Sequence, residues 1–206
     1  MKKTSEKILD TALALFNTYG LPKVTLRTIA KEMGISQGNL NYHYKKRDDI
    51  IEALYFQLVE MMDQSMSAHQ PSSGGLQLMF DISAGIMSNS YKYRFFLLDF
   101  AQIMRENATI KKHFKKLTKL RQEQFSGLID MMVTLGIMRK EKLPNEYFFL
   151  YQRFQILGDF WISSAEIAHT KITKKIMSEY YEIITQAIYP YLTDKGIKEY
   201  HTIISG

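Results

Sequence analysis

The chain contains no cysteine, so neither a disulfide framework nor a thiolate metal site can form, and a reducing compartment suits it. It has only four prolines and eleven glycines among 206 residues, too few for a loop-rich or low-complexity chain. No stretch reaches the roughly 18 consecutive apolar residues of a membrane span. The opening MKKTSEKILD has no apolar h-region, so neither a signal peptide nor a membrane span is expected, and the cytoplasm is the expected location. The five histidines, His43, His69, His113, His169 and His201, are scattered. With no His-Glu-x-x-His spacing and no nucleophile motif, no catalytic residue, metal ligand or cofactor site is expected.

What is present is apolar and helical. A 46% apolar, 13% aromatic composition can bury a real core. Apolar residues recur every three or four positions in nearly every interval, and no strand alternation competes with them. The first helix is expected over residues 4–19, on the stripe Ile8, Leu9, Ala12, Leu13, Leu15 and Phe16, with Gly20 as its cap. A second starts at Thr25, buries Leu26, Ile29, Ala30 and Met33, and ends at Gly34. A short third follows Ser36 as far as Tyr44, and a fourth covers residues 48–68, with Asp48 and Asp49 at its positive end. Gln70-Pro-Ser-Ser-Gly-Gly75 reads as a linker. Helices are then expected over residues 76–88, 91–105, 109–135, 146–169 and 173–189, with Asn107 and Asn145 as N-caps.

Charge is unevenly placed. Residues 1–50 hold nine Lys and Arg against five Asp and Glu, so +4 of the net +6 sits in the first quarter of the chain. Aromatics run the other way, four in those residues and twenty-two beyond them. The division expected from this is a head over residues 1–50, with a connecting helix at 48–68, and a second domain over 51–206.

Within the head, the segment from Thr25 to Gly34 followed by Ile35 to Tyr44 reads as helix, tight turn, helix. A helix-turn-helix needs a small residue at the turn, an apolar lock between its helices and a polar outer face on the second. Gly34 supplies the first, Ala30, Ile35 and Leu40 the second, and Gln37, Asn39, Asn41, Tyr42 and His43 the third. A helix this short and polar suits the DNA major groove better than a core. Gln37 and Asn39 are the expected base readers, because an amide can bond adenine bidentately. Gly38 lets the backbone approach the groove. Arg27 suits a phosphate or a guanine. Thr25, Thr28, Ser36, Tyr42, His43, Lys46 and Arg47 are expected phosphate contacts, which set register and make affinity salt-dependent. Lys2 and Lys3 would add a basic arm.

The run IAKEMGIS followed by QGNLNYHYKKRDDII resembles the N-terminal domain of the tetracycline-repressor (TetR) family of transcription regulators. The close resemblance covers the first 50 to 60 residues; the rest agrees in length and helicity alone. It implies an all-α fold: a three-helix DNA-binding head with a helix-turn-helix, and a larger C-terminal helical domain for ligand binding and dimerisation. It implies a homodimer on a palindromic operator, with a small-molecule effector. By the same analogy Tyr44 closes the small head domain. The sequence departs from the family at Leu40-Asn41, where leucine followed by tyrosine is common; Tyr42 is the nearest aromatic to that phosphate contact.

Most Met and aromatic residues beyond the linker are expected to be packing. An apolar or aromatic effector between helices is the additional reading, with Phe80, Phe96, Phe100, Met104, Phe125, Met132, Phe154 and Trp161 as its lining. The helices over 146–169 and 173–189 are apolar on more than one face, as elements of a four-helix dimer interface would be, and Gly158 would permit close approach. The basic run from Lys111 to Arg121 surrounds a helix whose Ile110, Phe114, Leu117 and Leu120 point inward, so it reads as solvated surface. Two other functions fit less of the sequence: a helical enzyme using the aromatic pocket, and a DNA-binding protein without an inducer.

Overall fold

Apolar periodicity without strand alternation gives helices, and every regular element of the computed structural model is helical among its described residues, 3–68 and 75–205. The α-helices are α1 (Thr4–Tyr19), α2 (Leu26–Glu32), α3 (Gln37–His43), α4 (Arg47–Ser67), α5 (Gly75–Lys92), α6 (Arg94–Leu98), α7 (Phe100–Glu106), α8 (Ala108–Thr134), α9 (Glu146–Ala168), α10 (Lys174–Gln186) and α11 (Asp194–Ser205). Single 3-10 turns lie at Leu21–Lys23 and Tyr189–Tyr191. Helices α1–α4, α8 and α9 match their expected limits to within a residue or two. The rest differ: the stretch expected as 91–105 is broken at Tyr93 and Asp99, and α11 was not expected at all. Lys2 and all of the expected linker except Gly75 lie outside the described residues.

Packing divides the chain into two compact units, Met1–Met61 with Asn89–His113, and Met62–Ser88 with Phe114–Gly206. The first is therefore more than the N-terminal head. Its core joins Ile8, Ala12 and Phe16 of α1 to Ile29 of α2, Leu40 of α3 and Ile50 and Leu54 of α4, all buried. Phe95 of α6 stacks on Phe16 with ring centroids 5.1 Å apart.

In the second unit Leu76, Met79 and Phe80 of α5, Ile129 and Met132 of α8, Leu150 of α9 and Tyr200 of α11 share one core. The α8–α9 turn is tied down from several sides. Gly136 turns at φ +68°, and the Thr193 hydroxyl donates to its carbonyl at 2.6 Å. Arg139 bonds Glu146 through both terminal guanidinium nitrogens at 2.8 Å. That fork, with the Lys142 N–H, holds the Glu146 carboxyl down at about 2. Asn107 caps α8 as expected, accepting from Ile110 N at 2.8 Å. Asn145 stands before α9 in the left-handed region, but its side chain makes no capping bond.

Candidate nucleic-acid interface

Short helices form where caps satisfy their orphan N–H groups. Thr25 and Thr28 cap α2 reciprocally: Thr25 Oγ1 accepts from Thr28 N at 3.2 Å, and Thr28 Oγ1 accepts from Thr25 N at 2.9 Å. Ser36 Oγ accepts from Asn39 N at 3.1 Å and starts α3. Between the helices Gly34 adopts φ +66°, a left-handed turn that glycine takes without strain, and Ile35 N bonds Ala30 O at 3.1 Å. Ile29, Ala30 and Leu40 are buried beneath, which fixes the face α3 turns outward.

That face carries Gln37, Gly38, Asn39, Asn41, Tyr42 and His43, all exposed. Tyr42 is 86% exposed, its ring edge-on to His43 at 5.3 Å. Arg27 and Lys46 are exposed as well. The hydroxyls differ in what they can offer. Thr25 and Ser36 accept from backbone and keep their own hydrogens for donation, whereas Thr28 donates its hydrogen to Thr25 O at 2.9 Å. Arg47 is half-buried, and its Nη1 donates to Leu21 O at 3.0 Å, tying the start of α4 to the turn after α1. Asp49 accepts from Lys46 N at 2.9 Å, the expected carboxylate at the start of α4.

Two asparagines organise this unit. Asn17 Nδ2 donates to Lys92 O at 2.8 Å while its Oδ1 accepts from Phe95 N at 3.1 Å, so one amide satisfies the end of α5 and the start of α6. Arg94 adds a bond to Asn17 O at 3.3 Å. Asn107 Nδ2 donates to Glu52 Oε1 of α4 at 2.9 Å. Such long-range amide contacts leave no periodic signal, and Asn17 drew no expectation.

Of the basic run on α8, Lys111, Lys112, Lys115, Lys116 and Lys119 are exposed. Its two other members are engaged: His113 Nδ1 bonds the Tyr55 hydroxyl at 2.8 Å, and Arg121 pairs with Asp63. Burial pushes the Tyr55 hydroxyl up to about 12.

The eight residues expected around an effector are not brought together. Phe96, Phe100 and Met104 belong to the first unit, where Phe96 stacks on Tyr55 at 5.2 Å and meets Phe100 at 5.9 Å. Phe80 and Met132 are buried in the second unit's core. Phe125 and Phe154 lie 5.8 Å apart, half-buried against that core. Trp161 is buried beside Tyr180 at 5.9 Å. None of the eight lines the open cleft of about 480 Å³ that includes Ile129, Asp130, Tyr147 and Phe148. Among the described residues no cluster of His, Cys, Asp or Glu could hold a metal ion, and no helix is long and apolar enough to cross a membrane.

Comparison with known proteins places both halves of the chain. A family profile described as "Bacterial regulatory proteins, tetR family" matches residues 8–54, and one described as "TetR: Bacterial transcriptional repressor" matches residues 57–200. The "Probable HTH-type transcriptional regulator YttP" of Bacillus subtilis is 29% identical over 86 residues, 38% of this chain and 42% of that protein. The "Tetracycline repressor protein class D" of Escherichia coli is 32% identical over 69 residues, 34% of this chain and 30% of that protein. These alignments thus span less than half of either relative. A solved TetR-family transcriptional regulator from Marinobacter aquaeolei VT8 superposes with a TM-score of 0.82 at 22% identity, covering 94% of this chain and 93% of that one.

Proposed function

The chain belongs to the tetR family of bacterial regulatory proteins, and from that premise we propose that it is a repressor that binds a palindromic operator as a homodimer and leaves it when a small, largely apolar effector binds. As a member it is a DNA-binding transcriptional regulator, and the family offers no enzymatic role. The observation that carries the reading is α3: capped, locked inward by Leu40, and presenting Gln37, Gly38, Asn39 and Tyr42 to solvent. A polar two-turn helix of this kind fits the major groove, where Gln37 and Asn39 can read base edges.

The remaining roles follow from what each side chain has free. Arg27, Thr25, Ser36, Tyr42, His43 and Lys46 grip phosphates, with Arg27 also able to reach a guanine. Thr28 and Arg47 contribute by holding α2 and α4 in place, and reach a phosphate only by giving up their internal acceptors. Residues 1–50 act as the reading head and residues 51–206 serve effector binding and dimerisation, with α4 connecting them. Phe125, Phe154 and Trp161 are assigned to the effector site; Phe80 and Met132 support it from the core, and Phe96, Phe100 and Met104 pack the first unit. Helices α9 and α10 form the dimer contact, and a reader of bacterial operators works in the cytoplasm.

Selection of bound sequences from a random duplex pool, at two salt concentrations, tests the central claim. Enrichment of a palindrome with two half-sites about one helical turn apart is expected. A folded protein that enriches no sequence at low salt overturns it. An enriched operator then serves as the probe in a release screen for effectors.

A further inference from the structure

Position along α9 separates its side chains into faces. Tyr151, Phe154, Gly158, Trp161, Ile162 and Ala165 fall on one side by their three- and four-residue spacing, and Tyr151, Trp161, Ile162 and Ala165 among them are buried. Gly158 therefore shares a face with the buried Trp161, Ile162 and Ala165. A Cβ built there meets nothing within 4 Å, although Gly158 itself is only partly exposed. Trp161 stands one turn beyond Gly158 on that face, and helical side chains lean back over the preceding turn, so the indole and the open space at Gly158 are neighbours along the helix.

The same indole is 3% exposed, and its Nε1–H is the one buried side-chain polar group without a hydrogen-bond partner among the described residues. A buried donor left unmatched costs free energy that a ligand acceptor would recover. Tyr180 stands 5.9 Å from the indole, and one turn before Gly158 the Phe154 ring packs on Phe125 at 5.8 Å. Resting on the reading that an effector binds these helices, we propose that Trp161 is its specificity-determining residue, donating to the single acceptor of an uncharged aromatic molecule seated over Gly158. Aromatic walls with few placed polar groups favour such a ligand.

The chain has one tryptophan, so the indole N–H gives a single NMR cross-peak in the intact protein. Acetophenone and its isostere α-methylstyrene differ in a carbonyl against a methylene and suit the test. Acetophenone is expected to move the indole proton downfield and to bind about fivefold more tightly, the worth of one neutral hydrogen bond. α-Methylstyrene should leave the proton in place. In Trp161→Phe the two should bind alike, and Gly158→Leu, which fills the room, should exclude both. Equal binding by wild type, or a proton unmoved by bound ketone, as a trapped water partner would give, overturns the proposal. So does failure of both to bind. If other compounds then release the operator, the effector reading survives; if none does, that reading falls as well.

Discussion

A phosphate contact and a structural cation are distinguished by what each cation already touches. Lys46 is exposed, so Lys46→Ala should lower the salt dependence of operator binding by about 0.9 in log–log slope for each phosphate released, with no change in melting temperature. Arg47 donates to Leu21 O from a half-buried position, so Arg47→Ala should lower the melting temperature and leave the slope largely unchanged. Gln37→Ala should instead relax preference at one operator position by roughly 1–3 kcal/mol. Operator titrations at several salt concentrations, beside melting curves, separate the three. Unaltered binding by both Gln37→Ala and Lys46→Ala would mean that another element enters the groove. The exposure of Gln37, Asn39 and Tyr42 was legible in the sequence because caps and a glycine turn mark α3 locally. The engagement of Arg47 was not, because its partner lies 26 residues away.

Titration gives a second residue-level test. Asp159 has a folded value of about 7 against an ordinary 3.8, raised by burial. Its neutral form is therefore favoured by folding, and the stability it contributes is full below the ordinary value and lost as pH rises through about 7. Glu146 works in the opposite sense, since Arg139 depresses its value to about 2, and its contribution is lost only as pH falls towards that value. Asp159→Asn should thus flatten the decline in melting temperature between about pH 4 and pH 8 while leaving the acid limb in place. An unchanged neutral limb would show that the carboxyl is solvated in solution.

At the scale of elements, the long helices were legible and the breaks were not. Periodicity found α1, α4, α8 and α9 because each buries a continuous stripe. The interruptions at Tyr93 and Asp99 carry no proline or glycine; the first is stabilised from outside, by the Asn17 amide on Lys92 O and Phe95 N. Asn17→Ala should therefore cost about 1 kcal/mol, chiefly by leaving the part-buried Phe95 N–H without its acceptor, read as a lowered denaturation midpoint. Helix α11 escaped for a related reason, since Pro190 before it and Gly196 within it look like terminators. Gly196 is instead a point of close approach: a Cβ there would clash with the Ile137 carbonyl oxygen. Gly196→Ala should destabilise by a few kcal/mol, because the clash is with backbone and no rotamer relieves it. A midpoint unchanged in that variant would mean that α11 packs elsewhere.

For the whole molecule, the local +4 of the first 50 residues pointed to the reading head, but compactness does not stop where that charge does. The unit containing the head also takes in Asn89–His113, since Phe16 must cover itself and finds Phe95. Association is the property no single copy displays. On α9 Phe149, Ile156 and Ile167 follow one another at helical spacing and are exposed, as is Ile183 on α10, the helix that packs against α9. In the proposed α9–α10 contact a two-fold related copy would cover these apolar residues with its own. Ile156 is 59% exposed, so a charge placed there reaches solvent in the single chain. Ile156→Arg should therefore keep the monomer's melting behaviour, shift sedimentation towards the monomer, and weaken binding to a two-half-site operator far more than to one half-site. Ile204→Arg, on the exposed face of α11, is the control that should leave all three unchanged. If Ile156→Arg still sediments as a dimer, or Ile204→Arg dissociates one, the contact lies on a surface other than the α9–α10 pair.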